Sequence, residues 1–537
     1  MSSPTAPSSP ASFPAIDVLA ELSEAQFGDK RLAKRCLRIA EAMQRSPGAS
    51  LPDMLGSDTA LTGAYRFFNN PDVRLGDFLH PHAEATVGRI PGTGDWLCVY
   101  DTTEMEYRGT RTGLGRLNGS RRGFLAHVAL ALTADKHALP LGVLGVQTLV
   151  RKDKPRRRKI PNSAKKSKKG TPKAHTVRQG TKSRERKKKD SSKERKKKDS
   201  SKERRGKTYS LDPEVNEGAL WEAGIADVER RLPSDGRRID VVDRGGDSYL
   251  QLDRMVANNR RFVTRLNHDR VLVAEQAEDP TLISKALAGR PILAERDILI
   301  SARNPKVKAP DSLRKQPPRK ERAAHVVFTS ARVVIKRPHG APASLPDRIV
   351  LNVVRVSEPD PPPGAEPVEW RLATSEPIDT AADLERVVDI YRSRWVIEEF
   401  FKALKSGCAV LDREFENCAA LMNVLGISIP MAVQMLGLRS LARASSTAPA
   451  TAVLSETQVE ILVEVARPLP PRQRPPENPT ARQALLAIAA LGGHVTRNGE
   501  PGWLTIARGF HKIREIELGL ELCVAIAARR AKRSVGS

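Results

Sequence analysis

The spacing of hydrophobic positions changes several times along the chain, and each change marks a different kind of element. From Asp17 to Leu79 apolar residues recur every three or four positions. There ELSEAQFGDKRLAKRCLRIAEAMQ predicts one amphipathic helix and SDTALTGAYRFFNNPDV another, with a turn at Asn70 and Pro71. Between Gly94 and Val150 the texture becomes β: WLCVYD, EMEYRG, FLAHVALALTA and LPLGVLGVQTLV are consecutive strand runs parted by turn residues. Further on, PEVNEGALWEAGIADVERRL reads as a helix, RRIDVVD as a buried strand, SYLQLDRMVANN as a helix capped by Asp247 or Ser248, and RFVTRL as a strand. From His268 to Arg371 short β runs (RVLV, RDILI, HVVFTSARVVI, RIVLNVVRV) lie among proline-rich loops such as KQPPRK and EPDPPPGAEP. A helix is predicted from Ala381, capped by Asp379 or Thr380, to a stop at Ser406 and Gly407; more helices follow, broken by a proline-rich stretch from Arg467 to Pro479.

Antiparallel-type strands followed by helix, strand, helix and strand match the order of a ribonuclease-H-like α/β fold. The expected organisation is a disordered leader over 1–14 and a helical DNA-binding domain over 15–80. The catalytic domain occupies 94–265 and resumes at 375–440, interrupted by a β-rich insertion at 266–374; a helical dimerisation domain fills 441–537. Within the first catalytic part, residues 151–209 carry a basic nine-residue repeat (SRERKKKDS, SKERKKKDS, SKERRGKTY) with no apolar residue to bury, so it reads as disordered or as a solvated helix.

The predicted helix at 381–406 carries a pattern of chemical interest. Tyr391, Arg394, Glu398 and Lys405 stand at offsets that, at about 100° per residue, fall within a sector of roughly 60° on one face. Two aspartates far upstream, Asp101 in WLCVYDTT and Asp243 in RIDVVDRGG, each close an apolar β-type run. Alone, Asp101 is a turn or cap aspartate, Asp243 part of a simple Arg244-Gly245-Gly246 turn, and Glu398 a surface residue paired with Lys402. Together, in this element order, three carboxylates suit a metal-dependent phosphoryl-transfer site, with two divalent ions about 3.5 to 4 Å apart serving the attacking and leaving oxygens. Hard oxygen donors favour Mg²⁺, with Mn²⁺ as a substitute, and no His/Cys cluster competes.

Composition narrows the partner less than the total charge suggests. The 537-residue chain carries a formal net charge of +27, which favours a polyanion. Residues 151–209 hold 28 Lys and Arg against 6 Asp and Glu, so +22 of that total sits in one segment and the rest of the chain is only mildly basic. Within the first predicted helix Lys30, Arg31, Lys34, Arg35 and Arg38 cluster, as a DNA-binding face or as an ordinary solvated one. The five cysteines are scattered, odd in number and form no CxxC pair, pointing to a reduced chain without structural zinc. The Pro/Ser-rich start lacks the features of a secretory signal, and the apolar stretch VLGISIPMAVQML reads as too short for a membrane span and interrupted by Pro430. The expectation is a soluble cytoplasmic protein with no membrane partner.

These motifs resemble those of cut-and-paste DDE transposases of bacterial insertion sequences bearing the Tyr-Arg-Glu-Lys signature, the transposon-five group. The resemblance runs through FGDKRLAKR, GAYRFFNNPDV, YDTTEMEYR, VVDRGGDSYL, RFVTRL, WRLATSEP, DIYRSRWVIEEFFKALKSG and ALLAIAALGGH. It implies that Asp101, Asp243 and Glu398 form the metal-binding triad. Tyr391, Arg394 and Lys405 would then hold element-end phosphates, and Trp370 would stack on a base flipped out during hairpin formation. Trp395, Lys402 and Arg265 match positions beside the DNA, and Arg31, Lys34 and Arg66 match basic positions that contact end DNA. Asn267 departs from the pattern, since the family has lysine there, and the long basic insert departs as well.

The resemblance further implies nicking at the element end, a hairpin on that end, reopening by hydrolysis, and joining of 3′-hydroxyls to target DNA. The partners would be double-stranded DNA, as inverted terminal repeats and as target, and a second copy of the chain in a synaptic homodimer. The setting would be the nucleoid of a bacterial cytoplasm. The rival readings are a catalytically silent, transposase-derived DNA-binding protein or inhibitor, and a structure-selective nuclease on the same fold.

Overall fold

A computed structural model describes residues 16–118, 121–152, 209–214, 216–233, 235–273, 281–302 and 319–535. The predicted leader and nearly all of the basic repeat segment lie outside the described residues.

The N-terminal part is helical: Val18–Ser23, Lys30–Arg45, Leu51–Leu55, Asp58–Phe68 and Leu75–Arg89. The sequence pattern predicts one long first helix; the structure divides it. The first segment ends at Ser23 with Glu24 as its cap, Gly28 takes a left-handed φ of 72° in the turn that follows, and the Asp29 carboxylate accepts the Arg31 amide at 2.8 Å to open the second. Cys36, Ile39, Ala40 and Met43 face inward, and Phe27, Phe67 and Phe78 pack edge-on with ring centroids 5.4 to 6.1 Å apart.

Among the described residues the centre is one mixed sheet of ten strands: β1 (Trp96–Tyr107), β2 (Gly115–Arg116), β3 (Arg122–Thr133), β4 (Pro140–Leu149), β5 (Arg238–Val242), β6 (Arg261–Arg265), β7 (Ala294–Ile300), β8 (Arg322–Lys336), β9 (Arg348–Ser357) and β10 (Glu369–Thr374). From one edge the order is β4, β3, β1, β5, β6, β10, β9, β8, β7, with the short β2 sharing the far edge of β3. β1 runs antiparallel to β3 and parallel to β5, and β5 runs parallel to β6. β5 is buried at every position, as expected of a parallel strand covered on both faces.

Two sequence expectations change here. WLCVYD and EMEYRG are one strand, not two, so Asp101 sits in mid-strand; half-buried and buried residues alternate from Thr102 to Tyr107, and the pairing with β3 continues without interruption. The strands of the 266–374 stretch do not stand apart either. β10 pairs antiparallel with β6 at Leu372↔Arg265, which carries the central sheet onward through β9, β8 and β7.

Alternating side chains feed two cores. Leu97, Val99, Val241 and Val263 face the helices at Ala381–Ser393 and Trp395–Lys402, whereas Trp96, Cys98, Tyr100 and Phe262 face those at Ala219–Arg231 and Tyr249–Ala257. Ser248, not Asp247, caps the last of these by accepting the Gln251 amide. Asp247 instead accepts the amides of Asn267 and His268 and pairs with Arg270.

The apolar stretch around Pro430 lies within a 27-residue helix, Cys418–Ala444, longer than the sequence suggested. It is long and apolar enough to cross a membrane, but 83% of its most apolar window is buried inside the protein. Asn423 on this helix donates to the carbonyls of Phe68 and Val73, tying it to the N-terminal helices. Helices Glu456–Val465, Ala481–Leu491 and Trp503–Val535 complete the chain. The last two approach so closely that a Cβ on Gly492 would lie 1.8 Å from the Thr505 carbonyl oxygen, and one on Gly509 equally near that of Ile488. Arg151 forks onto Glu217 at 2.5 and 2.7 Å and Lys152 reaches Glu214 at 2.5 Å, joining the two flanks of the basic segment.

Candidate active site

The pairing of β1 with β5 ends in register at Tyr100↔Val242, so the next residue of each, Asp101 and Asp243, emerges side by side from adjacent strands. Glu398 approaches from the helical side. Its helix starts at Thr380, whose hydroxyl accepts the Asp383 amide while Asp383 accepts the Thr380 amide, a reciprocal cap. The predicted continuous helix is interrupted at Arg394, where the turn tightens, and widens over Ala403–Gly407, where the Cys408 amide bonds the carbonyl five residues back. This wide turn places Lys405 against β1, with Nζ 2.6 Å from Thr103 Oγ1 and 2.9 Å from the Glu104 carbonyl.

The predicted face survives both irregularities. Arg394 is buried, and its guanidinium donates to Asp101 Oδ2 at 3.0 Å and to Glu398 Oε1 at 2.7 Å, with Nε 3.9 Å from Asp243 Oδ1. Tyr391, also buried, donates its hydroxyl hydrogen to Asp243 Oδ1 at 3.2 Å. Three acids contributed by two strands and a helix therefore gather on one cation.

Their electrostatics follow from that crowding. Burial raises the Asp101 carboxyl to about 7; Arg394 opposes the rise, and the neighbouring Asp243 and Glu398 add to it. Burial disfavours the charge on Arg394, but Asp243, Tyr391, Asp101 and the hydrogen bond to Glu398 more than offset it and move its pKa up. Burial, then Asp243, pushes the Tyr391 phenol up, so the ring acts as a hydrogen-bond donor.

Alongside the acids runs a groove of about 1420 Å³ whose lining includes Asp243, Arg244, Arg265, Trp370, Trp395 and Glu398. Arg265 lies with its guanidinium carbon 5.8 Å from the Trp370 ring centre, and Trp370 lies 5.9 Å from Tyr391. Trp395 is 48% exposed into this groove, with Arg394 and Lys402 each about 6 Å from its ring. Lys402 pairs with Glu399 at 2.6 Å and not with Glu398, which leaves Glu398 to Arg394. Arg31, Lys34 and Arg66 are exposed on the N-terminal helices and do not line the groove; Arg31 pairs with Asp29.

Sequence reading took Arg244 for part of a turn, but it is exposed on the groove beside Asp243. The turn needs its glycines because it lies on Trp221: a Cβ at Gly245 would fall 2.8 Å from that ring, and one at Gly246 2.3 Å from Val242. The contact of Thr103 with Lys405 was also missed, since nothing in the sequence marks the widened helical turn.

The donor chemistry of Asp101, Asp243 and Glu398 fits a divalent cation: all are hard carboxylates, brought to one point where an added positive charge relieves their crowding. As arranged, they surround Arg394, and among the described residues no three ligating groups are set to hold an ion directly. The donor set fits, and the guanidinium occupies its centre.

Against known families, residues 18–73 match the model for transposase DNA-binding domains and residues 152–423, half of the chain, match the transposase DDE domain. The protein belongs to the DDE transposases and carries a transposase DNA-binding domain. Asp243 and Glu398 lie within the DDE match, and Asp101 lies upstream of it. Among solved structures, a piggyBac transposase synaptic complex with hairpin DNA aligns over 80% of this chain and 72% of that one, at 10% identity and a TM-score of 0.30, too loose a superposition to support any inference.

Proposed function

We propose that this transposase acts by cut-and-paste, binding inverted terminal repeats, cleaving at the element ends through a hairpin intermediate and joining the freed 3′-hydroxyls to target DNA, in the manner of the bacterial transposon-five group. The observation that carries the proposal is the convergence of Asp101, Asp243 and Glu398 on the Arg394 guanidinium. The strand order β4-β3-β1-β5-β6, with β3 antiparallel and β5 and β6 parallel to β1, supports a ribonuclease-H-like catalytic core.

Asp101, Asp243 and Glu398 would hold Mg²⁺ or Mn²⁺. When bound, such ions supply Lewis acidity that activates a water or a 3′-hydroxyl and stabilises the departing oxygen. The protein's own groups do the positioning. Arg265 and Arg244, which line the groove, would offer charge to the phosphates of a strand lying in it, with Lys402 beside the Trp395 ring, and Tyr391 fixes the orientation of Asp243. Trp370, half-buried beside Arg265, presents a ring on which an extruded base would stack, returning part of the few kcal/mol that unstacking costs. Arg31, Lys34 and Arg66 would grip end DNA at a distance from the cleft. Exposed Leu520, Leu522, Val524 and Ile526 on the final helix offer apolar surface for a homodimer that pairs two ends. Such a protein would work on the bacterial nucleoid.

The test is incubation with Mg²⁺ of linear DNA bearing the inverted repeats that flank the reading frame. Hairpin-ended products that disappear with Glu398→Ala, and hairpins specifically lost with Trp370→Ala while nicking persists, are the expected result. Repeat binding with no strand cleavage in Mg²⁺ or Mn²⁺ would instead identify a catalytically silent DNA-binding derivative.

A further inference from the structure

We propose that Arg394 is the resident counter-cation of the acidic site: it holds Asp101, Asp243 and Glu398 together in the metal-free protein and competes with the divalent ion for the same oxygens. The inference rests on the reading that this triad takes a divalent cation.

Three facts lead to it. First, one guanidinium hydrogen-bonds Asp101 at 3.0 Å and Glu398 at 2.7 Å and lies 3.9 Å from an Asp243 oxygen, so it stands in the space an ion shared by the three acids would need. Second, three of the other nearby cations are engaged elsewhere, and Arg244 is exposed on the groove rather than buried among the acids. Lys405 donates to Thr103 and to the Glu104 carbonyl, Lys402 pairs with Glu399, and Arg265 lies over Trp370 and donates to the Glu369 carbonyl. Third, Arg394 stands at the interruption between two helical segments and lines the open groove, next to the exposed face of Trp395, so its side chain has somewhere to go.

Physical chemistry then fixes the consequence. Crowded, largely desolvated carboxylates repel one another and would splay without a cation between them, so the arginine keeps them convergent before the metal arrives. The same contacts must be broken before an ion of small radius can reach the oxygens. Arg394 is therefore a positioning residue that keeps the site assembled and at the same time lowers its affinity for metal. Lysine is a poor substitute, because a single ammonium cannot fork between carboxylates.

The experiment is Mn²⁺ titration of the full-length protein without DNA, followed by electron paramagnetic resonance, for the native chain, Arg394→Gln, Arg394→Lys and Asp101→Asn. The expected result is Mn²⁺ binding at least about tenfold tighter in Arg394→Gln than in the native chain, a difference of about 1.4 kcal/mol, with Arg394→Lys in between and binding abolished in Asp101→Asn. Thermal melts supply a second readout: Arg394→Gln melts below the native chain without metal and gains more from saturating Mn²⁺. If Asp101-dependent Mn²⁺ binding is present but no tighter in Arg394→Gln and Arg394→Lys than in the native chain, the competition is refuted while the metal reading stands. If no protein binds Mn²⁺ in an Asp101-dependent way, the metal reading fails and takes this inference with it.

Discussion

Tyr391 and Asp243, 148 positions apart in sequence, meet through a single hydrogen bond of 3.2 Å from the phenol to Oδ1. The bond links the helix that brings Glu398 to the strand end that brings Asp243, so it fixes the relation between two of the three acids. Tyr391→Phe keeps the ring and its packing on Trp370 but removes the donor. A hydrogen bond to a charged group contributes about 1.5 to 3 kcal/mol to stability, so the melting temperature should fall, and with Asp243 no longer oriented strand cleavage should slow while DNA binding persists. Single-turnover cleavage beside a DNA-binding titration and a thermal melt measures all three.

The second prediction concerns pH. The folded Asp101 carboxyl, raised by burial from 3.8 to about 7, holds its proton more tightly than in the unfolded chain. Its contribution to stability is therefore full below the unfolded value and is lost as pH rises toward and through about 7. Urea melts of the metal-free protein should show this decline, and Asp101→Asn should flatten it. Because an ion must displace the same proton, Mn²⁺ affinity should climb with pH up to about 7 and level off above it.

Arg413 supplies a third. It is 3% exposed and donates to the carbonyls of Pro47, Ala49 and Cys408, pinning the segment between two N-terminal helices to the chain just beyond the site helix. Arg413→Ala leaves those carbonyls without their donor in a buried place, and about 1 to 3 kcal/mol of stability should be lost for each carbonyl that water does not reach. Arg413→Lys should recover only part, since one ammonium cannot reach all three acceptors. Denaturant midpoints decide between these outcomes.

What the sequence revealed and what it hid divide along physical lines. The face of Tyr391, Arg394, Glu398 and Lys405 was legible because helical periodicity is local, and the neighbouring interruptions rotate it too little to scatter it. Asp243 was legible because it follows the apolar pair Val241 and Val242 and is itself followed closely by glycines. The place of Asp101 within its strand was misjudged because polarity was taken as an end, whereas DTTEMEY merely exchanges a two-sided burial pattern for a one-sided one. The break between Ser23 and Lys30 was hidden in an otherwise helical pattern, since a short turn with one left-handed glycine leaves no periodic trace. The extension of the sheet through β10 was also out of reach, because its pairing with β6 joins residues about a hundred positions apart. Nothing in the residue pattern foretold that Arg394 would stand among all three acids.

The fourth prediction tests the C-terminal helices. Gly492 and Gly509 leave no room for a methyl group, the nearest carbonyl oxygen being 1.8 Å from either Cβ position. Gly509→Ala forces the 481–491 and 503–535 helices apart and should cost about 1 to 3 kcal/mol, the usual range for overpacking. A lower melting temperature with unchanged far-ultraviolet circular dichroism is the expected outcome.

Arg151 and Lys152 on one side, and Glu214 and Glu217 on the other, clasp the chain where it leaves and rejoins the body of the protein. With that neck fixed, excising the intervening segment or exchanging it for a fluorescent or sequence-reading module should leave the register of β1 with β5, on which the acids depend, unchanged.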